Sequence, residues 1–86
     1  MSKIEFVILS ILSSRAATGK MVGMTVQDIQ AADDIFCYKS NVYYKQLKAL
    51  EQLGMVDVGS KQARAMTFYI TKTGLEKLKE EKEHEG

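Results

Sequence analysis

The sequence predicts a small α+β domain, mostly α, in which three helices are followed by a β-hairpin and a short final helix. Two periodicities predict it. Apolar residues recur at helical spacing from Ile4 to Leu12 and again at Tyr43, Leu47 and Leu50, then alternate as in a strand after Gly54. Length supplies the third observation, because 86 residues are enough for one domain and no more.

The elements follow in order. A first helix runs from Ser2 or Lys3 to Ser14, with the inward stripe Ile4, Val7, Ile8, Ile11 and Leu12. Residues 15–24 are small, glycine-containing and aperiodic, which predicts a loop with a short strand near Met21–Met24. Thr25 has the chemistry of an N-cap, and Asp28 three positions later completes the first turn of a helix over 26–33 that buries Val26, Ile29 and Ala32. Asp33 to Tyr38 form a connector. The third helix runs from Lys39 or Ser40 to Leu53, and Gly54 closes it as a left-handed cap. Met55–Gly59 reads as a strand, Ser60–Ala65 as a polar turn and Met66–Ile70 as a second, alternating strand. Thr71–Lys82 is a final helix with Leu75 and Leu78 on one face, and the charged residues 79–86 are expected to fray. Helix, helix, helix, hairpin, helix is the order of a winged helix-turn-helix domain, here spanning 1–86 as a single unit.

Composition excludes most chemistry. Cys37 is the one cysteine, so neither an intrachain disulfide nor a cysteine-built zinc site can form, and a lone thiol suits a reducing compartment. Cys37 is expected to be buried as a small hydrophobe. His84 lies in a charged run between Glu83 and Glu85, without further ligands at useful spacing, so no metal site is expected. There is no glycine-rich phosphate loop, no nucleophile elbow and no nucleophile–base pair to recruit. The chain reads as a non-enzyme without a cofactor. Lys3 followed by Phe6–Leu12 has the outline of a signal peptide, but Glu5 and Ser10 break it and its apolar positions keep helical spacing. A cytoplasmic location is expected, with no membrane span. Met21, Met24, Met55 and Met66 read as adaptable core or interface packing residues.

Net charge is only +1, so distribution matters more than the total. Residues 38–64 carry five cations (Lys39, Lys45, Lys48, Lys61, Arg64) against Glu51 and Asp57, whereas residues 76–86 carry three lysines against five glutamates. With Tyr43, Leu47 and Leu50 inward, 100° per residue sets Asn41, Lys45, Lys48 and Gln52 on the opposite side of the third helix, flanked by Ser40 and Tyr44. Every amphipathic surface helix has a solvated polar face. What makes this one a candidate reader of the DNA major groove is its position, third in the order and followed by a hairpin. Asn41, Tyr44 and Lys45 would reach base edges or nearby phosphates, and Lys39 and Ser40 would hold phosphate at the positive helix end. The turn from Ser60 to Ala65, with Lys61, Gln62 and Arg64 and no acid, suits a wing laid on the backbone or in the minor groove.

The run SNVYYKQLKALEQLGMV (40–56) resembles the recognition-helix signature of PadR-type and MarR-type winged-helix regulators, through Tyr44, Leu47, Lys48, Leu50, Glu51, Gly54 and Val56. MTFYITKTGLEKL (66–78) is similar to their second wing strand and following helix, through Tyr69, Thr71, Gly74 and Leu78, and IEFVILSILSS (4–14) to their first helix. The resemblance implies a winged-helix fold and double-stranded DNA as partner. Two departures stand out: the loop 15–24 is long, and the chain stops soon after Leu78, without the extended dimerisation helices of many relatives.

The functional expectation is a sequence-specific, dimeric transcriptional repressor with the third helix in the major groove. The alternative is a plasmid or phage centromere-binding (partition) or replication-control protein, and a third reading is a winged helix used for protein contact. Homodimerisation is expected through the first and last helices, at Ile4, Phe6, Leu9, Leu75 and Leu78. No effector pocket can be read from the sequence.

Overall fold

In a computed structural model, residues 1–85 are described as backbone and residues 1–83 with their side chains. Helix α1 spans Lys3–Ser14 and starts at a complete capping box, in which Ser2 and Glu5 each satisfy the other's backbone N–H. A single 3₁₀ turn, Lys20–Val22, follows, and then strand β1, Met24–Thr25. The predicted loop therefore contains a turn as well as the short strand. Helix α2, Val26–Ala32, begins at a second capping box, Thr25 with Asp28, as the sequence chemistry requires.

Helix α3, Ser40–Gln52, buries Tyr43, Leu47 and Leu50 completely. Gly54 follows it at φ +76°, the left-handed conformation that favours a residue without Cβ. Strands β2, Val56–Val58, and β3, Thr67–Ile70, form the hairpin, and β3 lies between β2 and β1 with both pairings antiparallel. Asp57 stands opposite Tyr69 and Met24 opposite Phe68. Helix α4, Lys72–Glu85, starts where Thr71 Oγ1 accepts from the Gly74 N–H at 3.1 Å. The same hydroxyl donates to the Gly54 carbonyl at 2.6 Å, tying the start of α4 to the end of α3. Residues 79–85 lie within this helix.

The core is one cluster drawn from every layer: Ile8, Leu9, Ile11 and Leu12 of α1, Ile29 of α2, the α3 stripe, Val56, Phe68 and Ile70 of the sheet, and Leu78 of α4. Helix α1 touches α2, α3, α4 and β3, so it is enclosed on several sides. That corrects two expectations. Leu9 is fully buried and Leu78 is 3% exposed within one chain, so neither offers surface to a partner. A domain this small spends its best apolar residues on its own interior. Ile4 and Phe6 are half-buried and Leu75 is exposed, and these remain on the surface. Of the methionines read as core or interface packing, Met24 is buried in the core, whereas Met21 stands on the 3₁₀ turn, 86% exposed.

Candidate nucleic-acid interface

The connector between α2 and α3 aims the third helix. Asp33 caps the end of α2, and its Oδ1 accepts from the N–H groups of Ile35 (2.8 Å) and Phe36 (3.2 Å). Its Oδ2 accepts from the Tyr43 hydroxyl at 2.6 Å, and that hydroxyl accepts from the Tyr38 N–H at 3.1 Å. Gln30 Nε2 holds the Tyr38 carbonyl at 3.0 Å. Both carboxylate oxygens of the buried Asp33 thus have partners, and the start of α3 is tied to the end of α2. Cys37, expected to be buried, is exposed at φ +55°, with its Sγ lying 3.7 Å from the Asp33 carbonyl oxygen across the tight connector.

With the buried stripe fixed, Ser40, Asn41, Tyr44 and Lys45 are exposed along the first turns of α3. Lys39 is the N-cap residue and supplies no side-chain acceptor, unlike Ser2 and Thr25 at the two preceding helices. The N–H groups of the first turn thus lack side-chain caps at a positively polarised helix end. Lys48 differs from Lys45. It is half-buried, and its Nζ lies 2.6 Å from Glu51 Oε1, a pairing that raises the lysine's pKa mainly through that hydrogen bond. The Lys48 charge is therefore partly neutralised on the spot.

The hairpin stands beside this face. Ser40, Asn41 and Tyr44 of α3 share one open groove of about 500 Å³ with Ala65 and Met66 of the hairpin and with Thr25, Val26 and Gln27 at the start of α2. The turn itself is tightened by reciprocal backbone bonds between Gln62 and Ala65, both 3.0 Å, and Lys61, Gln62 and Arg64 are exposed on it. Sequence reasoning missed Gln27 as a member of this surface. The signal was available, since with Val26 and Ile29 as the inward positions of the second helix the polar Gln27 falls on its outer side. Among the described residues no group of three or more His, Cys, Asp or Glu side chains is placed to hold a metal ion. The expectation about His84 falls on a side chain outside the described residues. No helix among the described residues is long and apolar enough to cross a membrane.

No protein-family model matches the sequence, and a comparison with curated proteins finds no match. Solved structures do match. TubR from Bacillus megaterium pBM400 superposes with a TM-score of 0.74 at 17% identity, covering 88% of this chain and 80% of that one. The solution structure of the DNA-binding TubR fragment from Clostridium botulinum superposes with a TM-score of 0.72 at 29% identity, covering 93% of this chain and 95% of that one. The chain has a winged-helix fold. In this fold α2 and α3 form the helix-turn-helix and the β2–β3 hairpin is the wing. The matches bear out the wider resemblance read from residues 40–56 and 66–78, to winged helix-turn-helix proteins, but neither matched structure is a PadR-type or MarR-type regulator.

Proposed function

We propose that this protein binds double-stranded DNA as a homodimer, with α3 in the major groove and the wing on the flanking backbone or minor groove, and that it is a plasmid or phage centromere-binding (partition) protein. One observation carries the DNA reading: Ser40, Asn41 and Tyr44 share a groove with the base of the wing, so helix and hairpin present one continuous surface. Lys39 and Lys45 on α3 and Lys61 and Arg64 on the wing turn are all exposed, a supply of positive charge that phosphate requires. The partition role is favoured over a repressor at an isolated operator because both matched folds are TubR, one described as DNA-binding and the other from pBM400, a plasmid by its designation.

For the homodimer, Ile4, Phe6 and Leu75 remain as surface, and the exposed Ile35 lies across a groove from Phe6. A two-fold dimer would engage half-sites about one helical turn, roughly 10 base pairs, apart. With DNA as its partner the protein works in the cytoplasm.

The test compares wild type with Asn41→Ala, Lys45→Ala and Arg64→Ala in salt-dependent duplex binding. Weaker binding in all three is expected, with a flatter salt dependence for the two cation variants. Unchanged behaviour in all three would remove the assigned surface, and absence of any salt-sensitive duplex affinity in wild type would leave the protein-contact reading. Footprints over tandem repeats beside a partition gene support the centromere role, whereas a single site at a promoter supports the repressor.

A further inference from the structure

The 3₁₀ turn preceding β1 is built into the wing. The Ser60 N–H donates to the Lys20 carbonyl at 2.9 Å, joining the turn to the hairpin across 40 residues of sequence. Thr67, buried at the base of the hairpin, donates from Oγ1 to the Ser60 carbonyl at 2.6 Å, and the Gly59 N–H donates to the Thr67 carbonyl at 2.9 Å. The two backbones approach so closely at this point that a Cβ on Gly59 would stand 2.7 Å from the Lys20 carbonyl oxygen. The contact therefore needs glycine and holds the turn at a fixed height against the hairpin.

Between them lies a cleft of about 280 Å³, with Lys20 and Met21 on one wall, Ser60, Lys61 and Gln62 on the other and Thr67 at its base. The cleft is lined by two lysines and no acid. Ala65 and Met66 face the groove against α3, whereas Ser60 and Lys61 face this cleft, so the wing has a second working side. The lining supplies two lysines and no carboxylate, so an oxyanion is the partner that this chemistry fits.

We propose that the 3₁₀ turn and the wing form a two-sided clamp in which Lys20 and Lys61 grip one phosphate of the DNA backbone, extending the footprint beyond the recognition helix and the wing tip. The inference rests on the DNA-binding reading and adds a contact element to it. The long segment between α1 and β1 then has a role: it lifts Lys20 to the level of the hairpin.

The test uses the full chain and a mixed-sequence duplex of roughly three helical turns, since a phosphate contact is read on any sequence. Lys20→Ala is expected to weaken binding across sequences and to flatten the slope of log affinity against log salt by about 0.9 per contact, while Lys20→Arg keeps the slope. Lys20→Ala combined with Lys61→Ala should lose less than the sum of the two single changes, because they share one phosphate. Gly59→Ala keeps every charge but pushes the turn away, and should copy the Lys20→Ala slope. If that variant fails to fold, judged by its melting transition, the lysine variants decide alone. A Lys20→Ala slope equal to wild type, with Lys45→Ala still flattening it, overturns the clamp and leaves DNA binding standing. No salt-sensitive affinity in wild type overturns both.

Discussion

Tyr43 and Asp33 are joined by a 2.6 Å hydrogen bond from the phenol to the carboxylate, and the same phenol accepts from the Tyr38 N–H, so one buried oxygen links the end of α2 to the start of α3. Burial, and then the bond to Asp33, push the Tyr43 pKa up to about 12. Burial alone would raise the Asp33 carboxyl, but the Tyr43 donor and the N–H groups of Ile35 and Phe36 outweigh it and hold the group below its ordinary 3.8. Tyr43→Phe leaves Asp33 Oδ2 and the Tyr38 N–H without partners, and should cost about 1–3 kcal/mol of stability in urea unfolding at neutral pH. The sign of the pH dependence follows from the two directions. The lowered Asp33 contributes stability that is complete above 3.8 and is lost as pH falls through its folded value. The raised Tyr43 contributes stability that is complete below 10 and is lost between 10 and about 12. The difference between wild type and Tyr43→Phe should therefore narrow in acid below 3.8, and a difference that stays constant there would refute the linkage.

The two lysines on the outer side of α3 should not behave alike. Lys45 is exposed and forms no ion pair among the described residues, whereas Lys48 is held by Glu51 at 2.6 Å. A phosphate approaching Lys48 must compete with a carboxylate one helical turn further on. Lys45→Ala should flatten the salt slope of duplex binding by about 0.9, and Lys48→Ala by clearly less. Glu51→Gln should strengthen binding by freeing the Lys48 charge. Equal losses for the two lysine variants would show that the pair opens at no cost on DNA.

How far the sequence reached can be seen in where its information is local. The capping box at Thr25, the buried stripe of α3, with its steps of four and three, and the left-handed Gly54 all depend on near neighbours in sequence, and each was read from spacing. Asp33 reads as part of a polar connector until Tyr43, ten residues away, is seen to donate to it. Cys37 was expected inside because its residue type prefers burial, but on the connector it stands at φ +55° and is exposed. Lys20 sat in an aperiodic loop, and its tie to Ser60 spans 40 residues that no periodicity connects. The same blindness placed Leu9 and Leu78 on a dimer surface, since helical spacing shows which residues share a face but not how many neighbours enclose that helix.

The missing cap of α3 gives a prediction in which stability and binding move in opposite directions. Ser2 and Thr25 cap their helices, but Lys39 presents a cation where an acceptor would stabilise the first turn. Lys39→Asp should raise stability by about 0.5–2 kcal/mol and weaken duplex binding, since a carboxylate would then occupy the place proposed for phosphate. Thermal unfolding and duplex titration on the same sample check both halves. A stabilised variant with undiminished affinity would remove this helix end from the interface.

The proposed homodimer separates interior residues from surface ones. Phe6 lines two adjoining grooves beside α1, and Ile35 borders both from the connector at 71% exposure. Leu9, one helical turn further along α1, is wholly internal. Ile35→Lys removes apolar surface without opening the core, so it should leave the melting transition of the protomer in place while shifting sedimentation toward the monomer and reducing the affinity for paired half-sites. Leu9→Ala should do the reverse, costing about 2–5 kcal/mol of protomer stability through the cavity it leaves, at any protein concentration. If Ile35→Lys sediments as wild type at every concentration, the face formed by Phe6 and Ile35 is not the dimer surface, and Leu75 on α4 becomes the residue to change next.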